Sequence, residues 1–413
     1  MEELRKRIGI ATRGLDMNQP DRIPVIVSAV RTPIGKYGKT LKGYPAPKLG
    51  ALVIREALRR ALGIKGYEIN EVFMGNVVSA GLGQNPARQA SIFAGLPLSV
   101  GATTINKVCG SGLKSIMLAA QAIRSGEADC IVAGGMENMS LSPHILRGLR
   151  WGINLGDARI LDSMLYDGLW EVYNDYNIGI TGEIVAERHG ITREEADKFA
   201  LESQRKACGA IEKGAFKEEI VPVEVNLQDK VINFKVDECV RQDTTMARLK
   251  LLKPIYKPDG ILTAGNSSQL SDGAAAVILT SEANAKSRKQ EILARIVEYG
   301  QAGVKPELVM EAPIPACRSV LKKAGLSIKD IDLVEHNEAY ASASIVVREK
   351  LEVPDDKFNV NGGAIALGHP IGCSGARLVT TMIHSLRRRK QHRGLVTLCL
   401  GGGEAVSMVL ETI

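Results

Sequence analysis

Aromatic residues make up only 4% of this 413-residue chain, so its core must be built mainly from Ala, Val, Ile and Leu. No C-x-x-C pair occurs among the seven cysteines, Cys109, Cys130, Cys208, Cys239, Cys317, Cys373 and Cys399. An odd count in a long chain argues against a disulfide framework or a zinc site, and for reduced thiols in a cytoplasmic setting. No apolar run approaches the roughly 18 residues of a membrane span, so no membrane role is expected. The first 22 residues lack an apolar stretch and carry Glu2, Glu3, Asp16 and Asp21, unlike a secretory leader. The final Glu411-Thr412-Ile413 is not a peroxisomal signal. There is no G-x-G-x-x-G, no P-loop and no H-E-x-x-H, which removes the usual dinucleotide, nucleotide-phosphate and zinc-peptidase motifs. Charge of one sign is not concentrated either. The formal charge of +7 is scattered, and the densest run, Arg387-Arg388-Arg389-Lys390, reads as cations complementing a helix C-terminus rather than a nucleic-acid patch. A mild positive excess suits an anionic substrate such as a nucleotide thioester.

Glycine, in contrast, is abundant, with 42 residues that cluster near Cys, Asn and His. Pro24 to Val30 reads as a buried strand, residues 49–62 show helical spacing of Leu and Val, and Val72 to Gly75 reads as a second strand. Strands alternating with helices indicate an α/β sheet. One pattern occurs twice. Cys109-Gly110-Ser111-Gly112 is a glycine-rich turn, followed by a helix stopped at Ser125-Gly126 and a strand Cys130 to Ala133 ending in Gly134-Gly135. Gly372-Cys373-Ser374-Gly375 is followed by a helix carrying Leu378, Val379, Met382, Ile383 and Leu386, then a strand Leu395 to Leu400 ending in Gly401-Gly402-Gly403. The repeat predicts two related α/β halves. Between them the texture changes to turn-rich stretches and a charged helix over Thr192 to Lys213 that opens with the capping-box pattern Thr192-Arg193-Glu194-Glu195. This stretch reads as an insertion carrying substrate loops.

Cys109 falls at a predicted helix start, where unpaired N–H groups and the helix dipole favour a thiolate. The turn alone fits a packed cysteine equally well. His369 lies among glycines just before the second turn, placed to take a thiol proton as a Cys–His pair requires. Cys399 ends the second strand and would share a site with Cys109 if the halves are related by pseudo-symmetry. Asn337 follows the apolar Ile331 to Val334 at a strand end, a position that ordinary turn chemistry also explains.

Together these segments resemble the thiolase family. Asn106-Lys107-Val108-Cys109-Gly110-Ser111-Gly112-Leu113 is similar to its acyl-cysteine signature, Asn337-Glu338-Ala339-Tyr340 to its N-E-A-F block, Asn361 to Gly375 to its G-G-A-I-A-L-G-H-P-I-G-x-S-G block, and Cys399-Leu400-Gly401-Gly402-Gly403 to its C-x-G-G-G block. The likeness covers about residues 23–413. It implies the α/β thiolase fold: two pseudo-symmetric halves with mixed five-stranded sheets, layered αβαβα, plus an inserted loop domain. The expected parts are an N-terminal extension over 1–22, a first half from 23–138 and 269–290, an inserted loop domain over 139–268 for coenzyme A binding and oligomerisation, and a second half over 291–413.

The resemblance further implies reversible Claisen condensation of acetyl-CoA with an acyl-CoA. Cys109, activated by His369, would carry the acyl group. Cys399 would act as acid and base at the α-carbon. His369 with a water held by Asn337 would form one oxyanion site, and the N–H groups of Cys109 and Gly401 the other. No metal or other cofactor is expected, since coenzyme A thioesters are substrates. Acyl-CoA, free CoA and further copies of the chain, in a dimer or a pair of dimers, are the expected partners. Ser268 matches a pantetheine contact, and Arg241 falls where a basic residue meets the nucleotide. Asn177-Ile178-Gly179 stands where His-Met-Gly borders the pantetheine and acyl group in acetoacetyl-CoA members. Gln269 replaces a glycine, and Glu404-Ala405 replaces an apolar or amide residue and a glycine. Related condensing enzymes such as ketoacyl synthases lack the second cysteine, so Cys399 argues against them, and retention of all four reactive residues argues against a non-catalytic scaffold.

Overall fold

A computed structural model describes residues 22–227 and 230–413, so the extension expected over 1–22 lies, apart from Arg22, outside the described residues. The main sheet contains β1 (Pro24–Arg31), β2 (Glu71–Gly75), β3 (Gly101–Ile105), β4 (Cys130–Asn138), β5 (Ser271–Ser281), β6 (Ala294–Gly303), β7 (Leu333–His336), β8 (Arg393–Leu400) and β9 (Glu404–Glu411). Their spatial order is β7-β8-β9-β6-β1-β5-β4-β2-β3, with the short strand Gly35–Lys36 paired to β5.

The two halves follow one plan. In the first, β1, β5 and β4 are antiparallel neighbours, and β4, β2 and β3 are parallel. In the second, β6, β9 and β8 are antiparallel neighbours, and β8 and β7 are parallel. The fifth place in the second half is a single parallel bridge, Val334 to Phe358. Asn359 follows with a φ of 44°, a left-handed turn that Asn tolerates and that takes the chain off the sheet. The halves join where β1 meets β6 through Val25–Arg295 and Ile26–Ala294.

The helices include α1 (Ala46–Arg60), α2 (Pro86–Phe93), α3 (Ser111–Ser125), α4 (Arg193–Glu212), α5 (Pro313–Lys323), α6 (Ala341–Lys350) and α7 (Ile371–Arg389). The predicted capping box is present: Thr192 accepts from Glu195 N, and the Glu195 carboxylate accepts from Thr192 N. Helix α3 ends at Gly126 in a left-handed C-cap, as its sequence predicts.

Strand alternation sorts the side chains into layers. Ala275, Val277 and Leu279 of β5 and Val396 and Leu398 of β8 face a central core with Leu113 and Ile116 of α3 and Leu378 and Met382 of α7. Ala274, Ala276 and Ile278 face outward onto Val53 and Ile54 of α1. Leu395 and Cys399 face outward onto Val320 of α5 and Val346 of α6. The result is helix, sheet, helix, sheet, helix, with α3 and α7 in the middle. Helix α7 is buried over nearly all of its length through Leu386, its polar face of Ser374, Arg377, Thr380 and Thr381 included.

The first turns of α3 and α7 meet backbone to backbone. A β-carbon on Gly135 would fall 2.0 Å from the carbonyl oxygen of Gly372, and one on Gly375 would fall 2.3 Å from the Leu113 nitrogen. Glu137 fastens the same corner. Its carboxylate accepts from Gly372 N at 2.9 Å and Val77 N at 3.0 Å.

The chain between β4 and β5 contains the hairpin His144–Leu146 with Ile160–Asp162, a second small hairpin at Trp170–Glu171 with Tyr176–Asn177, helix Gly179–His189, α4, and the hairpin Val223–Leu227 with Lys230–Phe234. No helix among the described residues is long and apolar enough to cross a membrane.

Because backbone atoms have no rotamer to yield, Gly135→Ala is expected to cost about 3 kcal/mol. Urea denaturation checks this, and an unchanged midpoint would show that the corner tolerates a methyl group.

Candidate active site

Cys109 lies in the turn between β3 and α3, two residues before the helix begins at Ser111. The turn is tightly tied. Lys107 N donates to Ser111 Oγ at 2.8 Å, and Ser111 Oγ donates to the Val108 carbonyl at 2.6 Å. Val108 has a φ of 46°, an unfavourable conformation for a β-branched residue. Gly110 has no room for a side chain, since a β-carbon there would meet Leu400 Cδ2 at 1.9 Å. The loop of Cys109 is therefore pressed against the end of β8.

His369 lies two residues before α7 begins at Ile371. Its Nδ1 lies 2.6 Å from Ser374 Oγ, which itself donates to the Pro370 carbonyl at 2.9 Å. The single serine hydroxyl proton is thus used, so Nδ1 carries the proton and Nε2 presents a lone pair. Asn337 Nδ2 lies 3.4 Å from that Nε2. Asn337 is itself held by its N–H on the Thr397 carbonyl at 3.1 Å. Burial, with Arg377 as a smaller contributor, lowers the His369 pKa from its usual 6.5 to about 3.

Cys399, near the end of β8, is buried, with Sγ 3.8 Å from Met310 Sδ. Burial pushes its thiol up to about 12. Burial also raises the Cys109 thiol, the nearby Cys399 adds to this, and a hydrogen bond from the Gly401 N–H works in the opposite direction. Burial thus opposes the thiolate that the helix start favours, which leaves the proton for His369 to remove. Burial works against charge on both groups, raising the thiol and lowering the imidazole.

A cavity of about 500 Å³ brings these groups together: Cys109, His369, Cys399 and Gly401 all line it. So do Ser268 and Ile178, with Met310, Tyr340 and Leu169 among the apolar wall residues. Asn337 sits behind His369 rather than on the wall. Asn177 is off the wall too, its side-chain oxygen accepting from Gly179 N at 2.9 Å. Arg241 also lies outside the cavity lining, and its guanidinium donates to Gln269 Oε1 at 3.1 Å. Sequence reasoning missed Ser374, which sets the histidine tautomer, Met310, which packs on Cys399, and Glu137, which holds the α7 start. Of these, only Ser374 carried a local signal, lying five residues beyond His369 in the first helical turns.

The chain matches the family models for the thiolase N-terminal domain over residues 24–283 and the thiolase C-terminal domain over 290–412. It is 51% identical over 387 residues to an acetyl-CoA acetyltransferase of Pseudomonas aeruginosa, covering 94% of this chain and 98% of that one. A crystal structure of the Bacillus anthracis acetyl-CoA acetyltransferase superposes with a TM-score of 0.93 at 41% identity, covering 95% of this chain and 99% of the other. The crystal structure of human mitochondrial 3-ketoacyl-CoA thiolase superposes with a TM-score of 0.92 at 40% identity and the same coverage. The protein is an enzyme of the thiolase type and belongs to the thiolase family.

Two histidines test the electrostatics. Burial lowers both His369 and His336 to about 3, so both stay neutral in the folded protein while the unfolded chain takes up protons below 6.5. Stability is therefore withdrawn as pH falls from 6.5 towards 3. In 15N-histidine NMR, His369 is expected as the neutral Nδ1–H tautomer at pH about 5. Titration near 6.5 would show instead that the ring is well solvated.

Proposed function

We propose that this thiolase condenses acetyl-CoA with an acyl-CoA, and cleaves the 3-ketoacyl-CoA product in reverse, through an acyl group carried on Cys109. The observation that supports the assignment most strongly is that Cys109, His369 and Cys399, drawn from three separate sequence blocks, line one cavity, with Asn337 Nδ2 3.4 Å from His369 Nε2.

In the forward direction His369 Nε2 takes the Cys109 proton as the sulfur attacks the thioester carbonyl. The carbon–sulfur bond to CoA breaks, and the departing CoA sulfur takes a proton from Cys399. The Cys399 thiolate is a strong base because its burial penalises charge. It removes a proton from the methyl of acetyl-CoA. The enolate attacks the acyl carbonyl on Cys109, the carbon–carbon bond forms, and the Cys109 sulfur leaves, recovering its proton from His369. Protons and electron pairs balance without a redox partner. The thioester carbonyl itself acidifies the α-carbon, so the scheme assigns no role to a metal or other cofactor. The N–H groups of Cys109 and Gly401 serve the tetrahedral oxygen, and His369 with a water on Asn337 serves the enolate oxygen.

Ser268 and Ile178 are proposed to meet the pantetheine and acyl group, as both lie on the cavity wall. Arg241 is assigned to the nucleotide end through its link to Gln269, beside Ser268. Asn177 acts by holding the Ile178–Gly179 turn. The insertion over 139–268 is assigned to CoA binding and to assembly of a homo-oligomer, a dimer or a pair of dimers. Support comes from the loop of its first hairpin, where the apolar side chains Trp151 and Leu155 are 85% and 98% exposed. A cytoplasmic setting is supported by seven free cysteines.

Mixing with acetyl-CoA is expected to add one acetyl group to the wild-type protein by intact mass spectrometry and none to Cys109→Ala. Cys399→Ser is expected to acetylate yet lose at least about 100-fold in condensation. Normal condensation by that variant would refute the acid–base assignment. Replacing Trp151 and Leu155 with Glu is expected to lower the mass measured by light scattering. A wild-type protein that is already monomeric would refute the oligomer assignment.

A further inference from the structure

The loops carrying Cys109 and Gly401 come from opposite halves of the chain and touch at three successive points. Gly110 packs under Leu400, and Val108 faces Gly401. The third contact is ionic: Lys107 Nζ lies 2.6 Å from Glu404 Oε2. Lys107 is two residues before Cys109, and Glu404 is three residues after Gly401 at the start of β9. Neither side chain lines the cavity, so neither touches substrate there.

Each end of this pair is anchored in a stiff segment. The Lys107 N–H is bound to Ser111, and its carbonyl accepts from Gly110 N at 3.1 Å. Glu404 follows Gly402 and Gly403, whose φ values of 89° and 88° form the turn presenting the Gly401 N–H. A pull of a few tenths of an ångström between the two ends would therefore be transmitted to the spacing of Cys109, Gly401 and Cys399 instead of being absorbed by a floppy loop. The pair also accounts for the departure at 404, where an acidic residue replaces an apolar or amide one: the carboxylate has a lysine to meet.

We propose that the Lys107–Glu404 ion pair is a positioning clip that sets the distance between the acyl-cysteine loop and the C-x-G-G-G loop. This rests on the acyl-cysteine reading above. Its side chains are 19% and 42% exposed, so the pair adds little to global stability and acts mainly through geometry.

Four proteins test it: wild type, Glu404→Gln, Lys107→Met, and the double swap Lys107→Glu with Glu404→Lys. The readouts are single-turnover acetylation of Cys109, steady-state kcat and KM for condensation, and the melting midpoint. Each single variant is expected to lower kcat by about tenfold, the scale of a small misplacement of reacting groups. KM for acetyl-CoA should stay within about twofold, since the pair is off the substrate wall. The swap keeps the net charge of the pair and should restore kcat to within about threefold of wild type. Wild-type kcat in the single variants, losses that follow a lowered melting midpoint, or a swap no better than the singles would each overturn the clip. Failure of the wild-type protein to acetylate at Cys109 would remove the underlying reaction instead, so the two failures are distinguishable.

Discussion

Everything about the site depends on two helices touching without side chains between them. Gly135 and Gly372 bring β4 against the first turn of α7, and Gly375 brings α7 against the first turn of α3. Cys109 lies just before one of these helices and His369 just before the other. Their approach is a consequence of where the two helix starts are forced to sit. A side chain at any of these glycines would move both reactive groups together with the backbone. The same corner needs an acceptor for the buried Gly372 N–H at the start of α7. Glu137 supplies it from β4, although its burial raises its pKa to about 7. A buried carboxylate is retained there because it joins strand, loop and helix at one point.

That burial also decides the electrostatics. A helix terminus stabilises a thiolate by a modest amount, whereas loss of water penalises it strongly. At Cys109 the second effect is larger. Burial therefore favours the uncharged forms of Cys109 and His369, and the Gly401 N–H is a donor that works against that penalty at the sulfur. The Ser374 hydroxyl matters for the same reason. It fixes the proton on Nδ1, so the only lone pair on the ring is at Nε2. A neutral base in a dry site is effective when its tautomer is already correct.

Much of this was legible in the chain itself. The duplicated order of turn, helix, strand and glycines foretold two related halves, and Thr192 with Glu195 foretold the start of α4 within a residue. Cys109, His369 and Cys399 stood out because each is flanked by glycines. Other features have no local signature. The fifth strand of the second half shrinks to one bridge because Asn359 turns the backbone away, which depends on φ rather than on residue pattern. Met310 reaches Cys399 from 89 residues away. Glu137 reads as an ordinary strand residue until Gly372, 235 positions on, is placed beside it. Long-range partners of this kind arise from the packing of the layers and cannot be read from a window of sequence.

The departures from the family pattern show the same logic at smaller scale. Gln269 in place of glycine is not idle: its amide donates to the Cys239 carbonyl at 2.9 Å and the Ile365 carbonyl at 3.0 Å, while its oxygen accepts from Arg241. It ties the insertion to the segment just before His369, whose own N–H donates to the Gln269 carbonyl at 2.9 Å. Glu404 meets Lys107 across the two halves. Both substitutions add a polar contact next to a reactive loop without placing a new group on the cavity wall. Ile178 differs in kind, because it replaces a wall residue with a branched apolar one. The substitutions at 269 and 404 therefore act through contacts behind the cavity, whereas the one at 178 changes the cavity wall itself.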